Sequence, residues 1–444
     1  MMIAKATLLT GLLASAGFAA AGGEVPSRFG VDAPQLAHLG DYAVGVRAVR
    51  LVERNQPDVL SIDATGGRAV RRDRELMVEV WYPARPAATA VTPIQYTASL
   101  PAEPPRAPVS FTVSGIAVRN APAAAVAGGF PLVIVSHGYS NDPFTMTWLT
   151  ENLASKGYVV AAIRHGDPPI TDRSKFAQLL LRRPLDIAFV ARSLTQSLSA
   201  ERLVDPSRLA LIGYSMGGYG VLTAAGATLD PAGPVAAMVP GKLLAPYERG
   251  GTLERSVVVK AVRAVVAISP AGGGTLAAWG DLGMRGIKIP LLLVAGDQDH
   301  TVDYATGARA FFDSALDAER YLLTFKNAGH SIGLGPAPAD MRRRLWDQDW
   351  FEDPVWRKDR LNSIEAHFIT AFLNRHVKGD GSFAAFLDVP SAESEAGKWP
   401  AAAAPAAYDA YSPASGDVTV WKGFQHNHDT GLELLHLSPR RPPG

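Results

Sequence analysis

Apolar positions along this chain follow two alternating patterns. Short, nearly continuous apolar runs at PLVIVSHG (131–138), YVVAAIRHG (158–166), RLALIGYS (208–215), VRAVVAISP (262–270), IPLLLVAGD (289–297) and RYLLTFKNA (320–328) predict strands covered on both faces, the last named being the final strand. Helical spacing lies between them, over Phe144 to Lys156, 185–198, 216–227 and Tyr304 to Ala318, and a further helical pattern covers 361–377. Strand and helix alternating in this way predict an α/β architecture with a mostly parallel central sheet, right-handed crossovers and helices on both faces. Ahead of it, YAVGVRAVRLV (42–52) and ELMVEVWYP (75–83) read as paired strands, and the Ala/Pro-rich stretch from Ala84 to Gly129 reads as a surface excursion.

Two segments break the rhythm. Residues 228–261, rich in Pro, Ala and Gly, form a cap-like insertion in which Met238, Val239, Leu243, Leu244 and Tyr247 either wall an acyl pocket or pack as a plain excursion. From 391 to 444 an Ala/Pro-rich tail carries VTVWKGF and GLELLHL, separated by QHNHDT, and predicts a terminal β-hairpin. The body between, 22–390, reads as one domain, and no internal repeat is visible.

The N-terminus has the form of a secretory signal: one lysine, Lys5, then an apolar stretch from Ala6 to Ala20 and small residues that fit cleavage after Ala21. That stretch is shorter than the roughly 20 residues a spanning helix needs, so the expectation is export to the periplasm or beyond, without stable membrane insertion. Removing 1–21 takes Lys5 from the 43 basic residues, leaving 42 against 42 acidic ones. A neutral chain with no long basic run gives no electrostatic footprint for nucleic acid. Cysteine is absent, which excludes disulfides, a thiolate nucleophile and cysteine metal sites.

The chemistry gathers at strand ends, where ligands of such sheets bind. Ser215 stands between Gly213 and Gly217, directly after a predicted strand and before a predicted helix. Small neighbours permit the strained turn that projects a nucleophilic hydroxyl, and the helix N-terminus favours developing negative charge. The Met216 N–H is then free to bind an oxyanion.

A serine needs a base, and the base an orienting carboxylate. Of the 10 histidines, His330 in KNAGHSIGLG follows the final predicted strand directly. His300 lies too near the acid, His367 and His376 fall on a helical pattern, His426 and His428 belong to a hairpin loop, and His165 fits a supporting role. The acid comes from VAGDQDHTVDY: Asp299 ranks first, Asp297 second, and Asp303 reads as a helix cap. A second glycine turn, SHGYS (136–140), supplies the other oxyanion donor through the Tyr139 N–H, with His137 as a neighbour of Gly138 and not as a base.

This spread of motifs resembles the α/β-hydrolase superfamily, and more narrowly exported serine hydrolases of the dienelactone-hydrolase-like and platelet-activating-factor-acetylhydrolase-like kinds. The stretches that carry it are ELMVEVWYPA, PLVIVSHGYSNDPF, LASKGYVVAAIRHGD, RPLDIAFV, VDPSRLALIGYSMGGYG, AGDQDHTV and NAGHS, within roughly residues 40–335. GYSMGG together with HGY also resembles bacterial cutinases and polyester hydrolases. True dienelactone hydrolases use cysteine, which this chain lacks.

The resemblance implies a Ser215–His330–Asp299 triad with Tyr139 and Met216 as oxyanion donors, acting on small or polymeric carboxylic esters through an acyl-enzyme, with no cofactor and no metal. Such chemistry needs a neutral His330, so activity is expected to rise through a pH near the ordinary histidine value of about 6.5. A serine peptidase or amidase and a perhydrolase would use the same residues, and a non-catalytic binding protein could keep the fold. Phe144, Trp148 and the LWDQDWF run (345–351) are candidate aromatic surface beside the site.

Overall fold

The computed structural model of the chain describes residues 29–62, 68–86, 94–399 and 419–440. The expected leader at 1–21 and nearly all of the WPAAAAPAAY stretch lie outside them.

The paired strands expected near the start are β1 (Ala43–Pro57) and β2 (Arg71–Ala84), which run antiparallel. The Ala84–Gly129 segment corrects the expectation of a surface excursion. It forms a two-stranded antiparallel sheet from β3 (Gln95–Leu100) and β4 (Val109–Ser114), followed by the short β5 (Val118–Arg119). Alternation had a cause that the Ala/Pro content hid: Tyr96, Ala98 and Leu100 of β3 all point into the core.

The remaining strands are β6 (Phe130–Ser136), β7 (Val159–Arg164), β8 (Val204–Tyr214), β9 (Val262–Ile268), β10 (Leu291–Gly296), β11 (Arg320–Phe325) and β12 (Leu432–Leu437). With β1, β2 and β5 they build one ten-stranded sheet in the order β12-β11-β10-β9-β8-β6-β7-β2-β1-β5. From β11 across to β7 every pairing is parallel, as the alternating pattern predicts. Successive residues of a buried strand face opposite layers: Val133 and Val135 enter one core, Leu132 and Ile134 the other.

The helices are α1 (Thr147–Ser155), α2 (Ala177–Ala200), α3 (Met216–Ala224), α4 (Pro234–Met238), α5 (Gly280–Gly283), α6 (Ala310–Ser314), α7 (Leu345–Gln348) and α8 (Lys358–Leu373). α1 and α8 cover one face of the sheet; α2, α3 and α6 cover the other. The 228–261 insertion packs with the second layer: Val235, Val239 and Leu244 are buried there, Leu243 and Tyr247 lie partly against it, and Met238 is exposed.

The tail departs from the expected hairpin. Among the described residues, 419–424 contain no strand, and GLELLHL pairs instead with the sheet edge, Leu432 opposite Phe325 and Leu437 opposite Arg320. RYLLTFKNA is therefore the last parallel strand but not the last strand. Val420, Trp421 and Phe424 are buried, the last two with their rings against Phe368 of α8.

The strand order brings the two glycine turns together. β6 and β8 are parallel neighbours with Ser136 opposite Gly213, so SHGYS and GYSMG emerge side by side from the same end of the sheet. β6 connects to β7 on one side while β8 lies on its other side, which makes this the point where the strand order reverses and a crevice opens.

Candidate active site

Ser215 ends β8 and starts α3 with φ 52° and ψ −117°, a conformation that costs an L-residue energy and is found where function demands it. The turn is possible only with glycine on both sides. A Cβ on Gly213 would stand 2.2 Å from the Gly217 carbonyl oxygen, and a Cβ on Gly217 would stand 1.9 Å from the Ser136 carbonyl oxygen. The backbone of Ser215 is tied into the sheet layer, its N–H donating to Ile268 O at 2.9 Å and its carbonyl accepting from Ala271 N at 3.0 Å.

The loop after β11 carries His330 to this serine. His330 Nε2 lies 3.0 Å from Ser215 Oγ, and His330 Nδ1 lies 2.7 Å from Asp299 Oδ2. Asp299 is buried and also accepts from Thr301 N at 3.0 Å and Val302 N at 3.2 Å. Burial opposes its ionisation, but the hydrogen bond and charge of His330, aided by these two N–H donors, outweigh that and hold the carboxyl below its ordinary range. An ionised Asp299 can only accept, so Nδ1 carries a proton and Nε2 is left with a lone pair facing the Ser215 hydroxyl.

The other acids are occupied elsewhere. Asp297 accepts from Asn327 N at 2.7 Å, and Asp303 accepts from Thr306 N at 2.8 Å as a turn cap. The loop bearing His330 is clamped from α8 and its approach: Gly329 N donates to Asp353 at 2.7 Å, Lys358 Nζ donates to Ser331 O, and Asn362 Nδ2 donates to Leu334 O at 3.0 Å. Phe144 and Trp148 are buried packing residues, Trp148 Nε1 donating to Gly333 O at 3.2 Å. In the LWDQDWF run Phe351 is buried while Leu345 and Trp346 are exposed.

The N–H groups of Met216, next to Ser215 in the chain, and of Tyr139, in the neighbouring glycine turn, have no acceptor among the described residues. The histidine of SHGYS is explained by its own bond. His137 Nδ1–H donates to the adjacent Gly138 O at 2.7 Å, while its Nε2 accepts from His165 N at 3.3 Å. Burial, then Arg183 and His165, push its pKa well below the usual histidine value, so the ring stays neutral in this tautomer. His165 is similarly held down to about 4 and bridges Ser136 Oγ at 2.9 Å and Asp186 at 3.0 Å, the supporting role expected of it.

A cavity of about 550 Å³ borders this loop, walled by Ser140, Asn141, Asp142 and Arg164 on one side and by the β3–β4 connection around Ala102 and Arg106 on the other. This wall was hidden in the sequence by the Ala/Pro content of the 84–129 segment.

Comparison with known proteins gives matches of the same kind. Residues 110–247, which include both glycine turns, match the family model described as PETase, PET hydrolase-like. Cutinase est1 of Thermobifida alba is 26% identical over 200 residues, 45% of this chain and 52% of that protein. A bis(hydroxyethyl) terephthalate hydrolase of Streptomyces coelicolor is 25% identical over 205 residues, 46% of this chain and 51% of that protein. The chain thus spans about half the length of these curated relatives. A ferulic acid esterase structure from Streptomyces cinnamoneus superposes with a TM-score of 0.49 at 21% identity, covering 76% of this chain and 91% of that one. By its sheet order and the placement of its turns the chain has the α/β-hydrolase fold, and through residues 110–247 it is similar to the PET hydrolase-like proteins.

Proposed function

We propose that this protein is a serine hydrolase of carboxylic esters. One observation carries the reading: His330 stands between the Ser215 hydroxyl and a buried Asp299, at 3.0 Å and 2.7 Å. Ser215 Oγ attacks the ester carbonyl while His330 Nε2 takes its proton. The oxyanion of the tetrahedral intermediate is received by the Met216 and Tyr139 N–H groups, donors whose loss typically costs about 10²–10³ in kcat. The imidazolium, stabilised by Asp299, then protonates the departing alcohol. Water, deprotonated by the same histidine, attacks the acyl-serine and releases the acid.

Polymeric or aromatic dicarboxylic esters form a second reading of the substrate, favoured by the PET hydrolase-like match across both glycine turns. Export is part of the proposal and rests on the leader-like sequence at 1–21; among the described residues no helix is long and apolar enough to cross a membrane.

The test is hydrolysis of p-nitrophenyl esters from acetate to long acyl chains, with bis(hydroxyethyl) terephthalate in parallel, by wild type and Ser215→Ala. Turnover by the wild type alone supports the reading, and the chain-length profile reports the acyl pocket. Equal rates from both proteins, or none from either on any ester, would refute it.

A further inference from the structure

The RPLD stretch within α2 has no part in the triad, yet it reaches the oxyanion loop. Arg183 lies on the buried stripe of α2 formed with Leu180, Ile187, Ala191 and Leu194, where helical spacing calls for an apolar residue. Its guanidinium is fully buried, a costly placement that its contacts must offset; Nε has no hydrogen-bond partner, and both terminal nitrogens carry the contacts. Nη1 donates to His137 O and to Ser136 Oγ at 3.2 Å; Nη2 donates to Gly138 O at 3.0 Å and pairs with Asp167.

These contacts decide the direction of one N–H. Gly138 C=O and Tyr139 N–H belong to the same peptide unit, which is trans, so they point opposite ways. Gly138 O is held on the Arg183 side by three donors: Arg183 Nη2, His137 Nδ1 at 2.7 Å and Asn141 N at 3.3 Å. The Tyr139 N–H must then face away from α2. In extended backbone successive carbonyls point in opposite directions, but those of His137 and Gly138 both turn to one guanidinium; a cation is what makes that bend stable. Asp167, paired with Arg183, also accepts from Ser140 N at 3.0 Å and so fixes the peptide on the other side of Tyr139.

We propose that Arg183 is a positioning residue for the oxyanion donor: its planar fork turns the Gly138–Tyr139 peptide so that the Tyr139 N–H meets the developing oxyanion. The assignment rests on the acyl-transfer reading of Ser215. A fork is needed because two successive carbonyls and a carboxylate are served at once, a geometry that the single ammonium of lysine does not reproduce. Asp186 keeps the cluster in register, accepting from Arg74 at 2.6 and 2.7 Å, from Arg182 at 2.9 Å and from His165.

The experiment measures kcat and KM for p-nitrophenyl butyrate, and the affinity of an alkyl trifluoromethyl ketone that forms a tetrahedral adduct on Ser215, in wild type, Arg183→Gln and Arg183→Lys. Circular dichroism and thermal melts establish which variants fold. For folded Arg183→Gln the expectation is a fall in kcat of about 100-fold with KM within about twofold, and a loss of ketone affinity by the same factor. Arg183→Lys should recover only part of both. Should the glutamine variant fail to fold, the lysine variant decides: at least about a tenfold loss in kcat and ketone affinity at unchanged KM supports the role. Wild-type kcat in a folded variant, a change confined to KM, or failure of both variants to fold would overturn it. Absence of ester turnover by the wild type would instead refute the esterase reading, and ketone affinity would still report on Arg183.

Discussion

His330 Nδ1 meets Asp299 Oδ2 at 2.7 Å, whereas Asp297, on the same loop, gives its carboxylate to Asn327 N–H at 2.7 Å on the far side. Asp299 is buried; Asp297 is partly exposed. The two carboxylates are therefore not interchangeable. Asp299→Asn should lose on the order of 10⁴ in kcat, since the amide favours the wrong imidazole tautomer, while Asp297→Asn should stay near wild type. Steady-state kinetics on both variants checks this, and comparable losses in the two would contradict it.

The pH profile follows from the same pair. Asp299 has its folded pKa depressed, so its contribution to stability is fully present above the ordinary carboxylate value and is lost only as pH falls through the lower, folded value. Throughout an ester assay Asp299 is ionised and contributes no proton step of its own to the activity profile. The acid limb of log(kcat/KM) should therefore have a slope of one; a slope of two between about pH 5 and 7 would place a second essential group in the site.

Gly217 lies where the Ser215 turn crosses the end of β6. A Cβ there would meet Ser136 O at 1.9 Å, and Ser136, paired opposite Gly213, cannot retreat without disturbing the β6–β8 ladder. Gly217→Ala should cost about 1–3 kcal/mol or more in stability and slow Ser215 chemistry with it. Denaturant titration measures the first; an unchanged midpoint would show that the turn has room that this geometry denies.

Glu151 of α1 docks the β3–β4 segment beside the cavity. Its buried carboxyl group accepts from Tyr96 Oη at 2.7 Å, Ile116 N at 3.0 Å and Ala117 N at 3.2 Å. Glu151→Ala would remove the acceptor of those three bonds, and a loss of about 1–3 kcal/mol is expected. Hydrogen exchange should speed up over 94–117 in particular; protection equal to wild type there would contradict the docking.

The sequence carries more of the site than of its supports. That Ser215, Asp299 and His330 come together was legible because each follows an apolar run long enough to be a buried strand, and such strands put their ends at one edge of a parallel sheet. Arg183 was not, because a charge in a helical pattern reads as solvated unless its position on the apolar stripe is noticed. The signal was there: Leu180, Arg183 and Ile187 share a face, and Pro184 follows immediately. The β3–β4 wall was obscured by its Ala and Pro content, although Tyr96, Ala98 and Leu100 alternate as a half-buried strand should. In the tail, the buried Leu432 and Leu434 mark a strand but not its partner, which is β11 and not the nearby VTVWKGF.

On this reading Ser215 is the residue on which covalent chemistry occurs. Reaction of the intact protein with a fluorophosphonate, followed by digestion and mass spectrometry of the peptide containing GYSMGGYG, tests it most directly. One phosphonyl group is expected, on Ser215, acquired rapidly by the wild type and far more slowly by His330→Ala. A label on another serine, or none at all under conditions that label known serine hydrolases, would contradict it.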